Sequence, residues 1–314
     1  MEKADSTILI ENLEKPEKKA IFKIETAILK RMVDQLVNKG FHWVLPVMLA
    51  KCTDPLWPDA GASIEERIEL EIYDEKVRMM QSMIIHKRVL ASSALEKFFI
   101  LSPNIRIEKR ARAATGCHLY EFTQLDIEAA HWGMEDIFRL FEESIRTTII
   151  TVKENLRDEL QQLQRTLATP EIPFKIYKRE ELEEKHGEDW ETAVSKEAEN
   201  PIWVTNIPRE FYDYEDEEKG EWRNYDLLLP EGYGEVISGA EREYEYAKIL
   251  RKIERDGLEK EDYALLLRMA KVGKLKPSAG AGIGIERFVS YVCGTKHVAD
   301  VQPFPRIPGV VPEL

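Results

Sequence analysis

The chain has 314 residues, and its 58 Asp and Glu against 45 Lys and Arg leave a formal net charge of −13. That balance argues against a nucleic-acid partner, because phosphate-backbone binding needs local positive charge and the one basic run is the short Lys109 to Arg112 stretch. Cys52, Cys117 and Cys293 fall outside any C-x-x-C spacing, so neither a disulfide framework nor a zinc site is indicated, and no apolar run approaches the roughly 18 residues of a membrane span; a cytoplasmic protein without a membrane partner is expected.

In chain order, Ile21, Ile24, Ile28, Met32 and Leu36 fall on one helical face, with Gly40 where a C-terminal cap is expected. FHWVLPV, from Phe41 to Val47, then reads as a strand ending at proline. Lys51 to Ser63, rich in Pro, Asp and Gly, reads as a mobile loop, and Val77 to Ala94 as helix. From Phe98 to His131 the pattern has period two. Ser102, Asn104, Arg106 and Glu108 share one face, opposite Phe99, Leu101, Ile105 and Ile107. After a basic connection, Lys109 to Cys117, the return strand sets Phe122, Gln124, Asp126 and Glu128 against Leu125, Ile127 and Ala129. A hairpin results, whose polar face carries an arginine among carboxylates; by alternation alone that face could equally be solvated.

Met134 to Gln164 reads as one long helix or two, broken by LATPEIPF from Leu167 to Phe174. Between Lys178 and Glu221 the chain is strongly acidic, with NPIWVTNIP at its centre as a short strand. GAGIGIER, from Gly280 to Arg287, has glycines that permit close backbone approach. It is no dinucleotide fingerprint, because Ile285 stands where G-x-G-x-x-G needs glycine, and there is no P-loop.

The order Arg106, Glu108, His118, Glu121 and Phe122, followed far downstream by Gly282, Gly284 and Arg287, resembles motifs 2 and 3 of the class II aminoacyl-tRNA synthetases. EFTQLDIE, from Glu121 to Glu128, resembles the aspartyl enzymes' version, and Pro46, SGAER from Ser238 to Arg242 and FPR from Phe304 to Arg306 extend the likeness over nearly the whole chain. The resemblance implies an α+β fold, an antiparallel sheet flanked by helices, in one catalytic domain over 1–314. Motif 1 would occupy 17–47, motif 2 98–131, a family-type intervening segment about 145–221, and motif 3 280–295. The motif 1 unit implies a homodimer. Its start near residue 20 leaves no room for the anticodon-binding OB domain of aspartyl and asparaginyl enzymes, which with the net charge makes tRNA an unlikely partner.

The same resemblance implies ATP and Mg²⁺ as cofactors. Arg106 and Arg287 would be catalytic, the first at the α-phosphate and the second over the base and γ-phosphate. Glu108, His118, Phe122, Gly282 and Gly284 would complete the ATP site, and Asp226, Glu235 and Ser238 would hold the metal. Asp54 and Asp126 would meet an α-ammonium, and Arg242 a carboxylate, with Ser82 and Gln124 in the same pocket. QSMIIHK, from Gln81 to Lys87, resembles the aspartyl pattern Q-S-P-Q-L-F-K but has Met83 and Ile84 in place of Pro and Gln. Lys87 beside Arg242 favours aspartate over its amide. Glu241, standing where glutamine is usual, would add a charge able to hold ammonium. The likeness is greatest to the archaeal asparagine synthetase related to asparaginyl-tRNA synthetase, so the expected reaction joins aspartate and ammonia through an aspartyl-adenylate. The alternatives are a core that charges tRNA or another acceptor, and a non-catalytic sensor. Joint retention of Arg106, Glu108, Asp226, Glu235 and Arg287 argues against the last.

Overall fold

The computed structural model of the chain describes residues 6–56 and 64–313, so half of the loop expected over Lys51 to Ser63 lies outside the described residues. Its centre is an eight-stranded sheet. In chain order the strands are β1 (His42–Trp43), β2 (Lys97–Ile105), β3 (Glu121–Ala130), β4 (Lys175–Lys178), β5 (Ile202–Thr205), β6 (Asn224–Leu229), β7 (Gly234–Glu241) and β8 (Ser278–Gly284). Their spatial order is β1-β2-β3-β8-β7-β6-β5-β4. The outermost pairs, β1 with β2 and β4 with β5, are parallel, and the five pairs between them are antiparallel.

Side-chain alternation gives this sheet two unlike faces. Phe99, Leu125, Ile127, Tyr225, Leu227, Ile237, Ala281 and Ile283 point to one side and join the main core with the helices Pro16–Asn38, Met134–Asn155 and Ile285–Cys293. Trp203 and Phe138 stack within that core at a centroid distance of 4.2 Å. The other side carries Asn104, Gln124, Asp126, Glu128, Ser278 and Arg242. Smaller apolar clusters rim it, one of Met80, Met83, Ala91, Phe98 and Ile100, another of Ile84, Ile85, Phe211, Tyr212, Ile249 and Ile253. These rims leave a polar pit over the middle strands.

The helix Pro16–Asn38 buries Ile21, Ile24, Ile28, Met32 and Leu36, as their spacing predicts, and Gly40 follows at φ +82°. Glu25, half-buried on this helix, has its carboxyl pushed up to about 7 by burial and by nearby Glu286. A carboxyl raised on folding favours the folded state while protonated, so this contribution is lost as pH rises through about 7. Glu25→Gln should therefore raise the melting temperature more at pH 8 than at pH 5; an equal shift at both would contradict the assignment.

Two local expectations change. Val77 to Ala94 is not one helix: Glu75–Met79 is a strand paired with Glu69–Ile72, and the helix covers only Ile84–Ala91. Tyr73 and Asp74, both at positive φ (52° and 60°), make the tight turn that joins these strands, and the alternation of Val77 and Met79 belongs to that hairpin. In Phe41 to Val47 only His42 and Trp43 pair as strand. As expected, helices Met134–Asn155 and Arg157–Gln162 stand ahead of the Leu167 to Phe174 break and a strand lies inside NPIWVTNIP. No helix among the described residues is long and apolar enough to cross a membrane.

Candidate active site

Two cavities adjoin on the polar face. One, of about 210 Å³, is lined by Arg106, Glu108, His118, Phe122, Gly284 and Arg287 among others. The end of β2 delivers Arg106, whose Nε donates to the Gln81 carbonyl (3.2 Å) and whose guanidinium lies 5.3 Å over the Phe122 ring. Arg287, in the first turn of its helix, donates to the carbonyls of Cys117 (3.1 Å) and Glu235 (2.7 Å), tying the β2–β3 connection to β7. Burial, then Arg287 and Arg112, lowers His118 to about 3, so its imidazole is neutral at physiological pH. Arg112 Nη1 donates to its Nε2 (2.7 Å), and the Thr115 hydroxyl, which donates to the Arg112 carbonyl, accepts from its Nδ1–H (2.6 Å). His118 is thus a fixed hydrogen-bonding group rather than a charge. Burial raises the Glu108 carboxyl against the pull of Arg112, Arg106 and Arg287.

The second cavity, of about 200 Å³, is lined by Asp54, Ser82, Lys87, Gln124, Asp126 and Arg242, with Gly282 in its wall. Arg106, Gln124 and Glu235 line both cavities. Here the polar face is not solvated: Asp126 is 3% exposed and Glu128 0%. Lys87 Nζ donates to Asp126 and lies 3.8 Å from Glu128. Arg242 donates to Glu128 (3.4 Å), Asp213 (3.0 Å) and the Gly280 carbonyl (3.1 Å), and Ser278 Oγ donates to Glu128 (2.7 Å). Burial pushes Glu128 up, but Arg242, Lys87 and Arg88 outweigh it and hold the carboxyl below its usual range; at Asp126 burial wins over Lys87. Gly280 makes room for this network, because a Cβ there would stand 2.0 Å from Glu128 Oε2.

Several expected roles change with this geometry. The resemblance places Asp126 at an α-ammonium, yet its carboxylate already accepts from Lys87. Lys87 and Arg242 do share a cavity, but neither offers an uncompensated charge. Asp54 accepts from the Tyr212 hydroxyl (3.0 Å) and the Leu56 amide (2.9 Å). Glu241 does not line either cavity. Neighbouring residues on a strand face opposite sides, so with Arg242 in the pit Glu241 turns to the helix layer, where it accepts from the Met134 amide (2.9 Å) and Arg223 (2.7 Å). There it serves the N-terminus of the helix Met134–Asn155 rather than an ammonium.

Asp226 and Ser238 are opposite one another on β6 and β7, and Glu235 is close enough to Asp226 for the two charges to interact. Burial and Asp226 push Glu235 up to about 7. Asp226 Oδ1 is buried with no hydrogen-bond partner among the described residues. An orphaned oxygen beside a second acid and a hydroxyl is a donor set that suits a hard divalent cation whose other ligands are phosphate and water.

The sequence reading missed the segment Arg209 to Asp213, from which Arg209, Glu210, Tyr212 and Asp213 all line the second cavity. Its signal was a cluster of charged and aromatic residues immediately after β5, masked by the acidic stretch around it. Burial, then Asp54 and Asp213, raises the Glu210 carboxyl strongly.

A family model described as tRNA synthetases class II (D, K and N) matches residues 6–308. The asparagine–tRNA ligase of Thermococcus gammatolerans is 30% identical over 95% of this chain and 71% of its own length. That of Symbiobacterium thermophilum is 31% identical over 92% and 69%. The crystal structure of Pyrococcus horikoshii asparaginyl-tRNA synthetase complexed with asparaginyl-adenylate superposes with a TM-score of 0.87 at 28% identity, covering 98% of this chain and 74% of that one. These relatives are tRNA ligases and lend no support to the expectation that tRNA is an unlikely partner; a net charge of −13 does not preclude a local basic patch. With the fold, the motif residues and the family model in agreement, the chain belongs to the class II tRNA synthetases of the D, K and N type, as an asparaginyl-tRNA synthetase-like catalytic core.

Proposed function

We propose that this chain is an AMP-forming ligase that activates asparagine or aspartate as an aminoacyl-adenylate. The observation that carries the reading is the sharing of Arg106 between the two cavities. An amino-acid carboxylate held in the Lys87–Arg242 cavity and an α-phosphate held in the Phe122–Arg287 cavity would meet at that guanidinium. Attack of a carboxylate oxygen on the α-phosphorus then forms the new P–O bond, while the bond to the β-phosphate breaks and pyrophosphate leaves with its electrons. Arg106 would stabilise the charge that gathers on the α-phosphoryl oxygens. Phe122 offers a face to the adenine once Arg106 turns to phosphate, and Arg287 can close over it. Asp226, Glu235 and Ser238 would hold Mg²⁺, which when bound supplies neutralisation of the phosphate charge. At the α-ammonium, Asp54 and the missed Glu210 are the available acids.

The relatives support tRNA as acceptor, with asparagine as the amino acid. In a second reading aspartate is activated and ammonia accepts; the cations for its second carboxylate would be Lys87 and Arg242 in the cavity wall, each of which would have to share its charge with the acids it now pairs. Incubation with ATP, Mg²⁺ and either amino acid, with tRNA or with ammonium, separates them. Charged tRNA from asparagine supports the first, free asparagine from aspartate and ammonium the second. AMP formation with neither amino acid would refute both.

A further inference from the structure

Arg209 stands where the metal reading needs a cation. One Nη donates to Asp226 and the other to Ser238 Oγ (2.5 Å), so a single guanidinium spans two of the three groups expected to hold the metal. Glu235 and Ser238 line the cavity and Asp226 does not; Arg209, which donates to Asp226, does. The remaining Asp226 oxygen, Oδ1, is buried with no hydrogen-bond partner among the described residues. A planar, permanently charged fork suits this double acceptor, whereas a lysine could satisfy only one arm at a time. Two neighbouring carboxylates without a counter-charge would repel one another, and the guanidinium offsets that repulsion in the metal-free protein.

We propose that Arg209 is the resident counter-ion of the Asp226–Glu235–Ser238 site, a placeholder that a divalent cation must displace. This rests on the reading of those residues as the metal site. Its consequence is that the free protein binds metal weakly, because a cation entering alone must break the guanidinium's bonds to both Asp226 and Ser238 and share the cavity with its positive charge. Metal arriving on a nucleotide brings phosphates that can take up the released Arg209. The segment Arg209 to Asp213 would then shift at its Arg209 end. Its other end is fixed by the Tyr212 hydroxyl on Asp54 (3.0 Å) and by Arg242 on Asp213 (3.0 Å), so the displacement is a side-chain exchange rather than a loop opening.

The test is Mn²⁺ binding to the full chain without nucleotide, read from the electron paramagnetic resonance signal of the free ion. Arg209→Gln should tighten binding at least about tenfold, the size expected when a unit of positive charge is removed from within a few ångströms of the cation. Arg209→Gln with Asp226→Asn should abolish the gain. The single variant should also melt lower than wild type in chelator and recover with Mn²⁺. Should Arg209→Gln fold poorly, Arg209→Lys, which leaves one acceptor free, should still tighten binding by a smaller factor. Unchanged or weaker Mn²⁺ affinity in the folded variant, or a gain that survives Asp226→Asn, would overturn the proposal. Mn²⁺ binding requires no amino acid or acceptor, so a wild-type protein that lacks adenylation but shows the Arg209-dependent gain would sink the proposed function alone.

Discussion

Arg106→Ala should slow amino-acid-dependent pyrophosphate exchange by about a thousandfold. Removing one donor aimed at a developing charge in a water-poor site costs about 4 kcal/mol, and each 1.36 kcal/mol is a factor of ten. Arg106 lines both cavities, and its present contacts, the Gln81 carbonyl and the Phe122 ring, are weak enough to give up when phosphate arrives. The fall should lie in kcat rather than in the amino-acid KM, since the interaction strengthens in the transition state. Arg106→Lys should recover only part of the rate, because a point charge does not reproduce the planar fork. A change confined to KM would assign Arg106 to ground-state binding.

Lys87→Met should cost about 3 kcal/mol of stability, the low end for breaking a buried ion pair. For a chain of this size, that corresponds to a melting-temperature fall of about 5 °C. Asp126 is buried and its one side-chain hydrogen-bond partner among the described residues is Lys87, whereas Glu128 retains Arg242 and Ser278. Lys87→Met paired with Asp126→Asn should therefore lose much less than Lys87→Met alone. The sign with pH follows from Asp126. Without Lys87 its carboxyl titrates higher still, so the folded variant gains from protonation and its deficit should shrink as pH falls towards 5. A deficit independent of both pH and the second substitution would mean that lost packing, not an orphaned carboxylate, sets the cost.

The alternation in β2 and β3 and the apolar stripe of Pro16–Asn38 were legible because local periodicity dictates which side is buried. Membership of one polar face for Gln124, Asp126 and Glu128 was equally plain. Their burial was not, since it depends on Lys87 arriving from a separate helix and Arg242 from just beyond the end of β7. The same long-range pairing turned Asp126 from a free acceptor into an ion-pair partner. Glu241 is a different case: its parity relative to Arg242 places it on the opposite face, and strand geometry alone separates it from the pit. Arg209 was illegible for a third reason. It sits in a connection without periodicity, and only the pairing of β6 with β5 and β7 brings that connection to Asp226 and Ser238. The Glu75–Met79 strand was lost within a longer helical reading because a two-residue turn at Tyr73 and Asp74 carries neither Gly nor Asn.

Formation of an aminoacyl-adenylate is the central claim, and labelled pyrophosphate exchange into ATP by the purified chain, without acceptor, tests it most directly. The account predicts labelled ATP only when asparagine or aspartate is present, with AMP as the nucleotide product when pyrophosphate is removed. Label incorporation independent of amino acid, no incorporation with either, or production of ADP would contradict it.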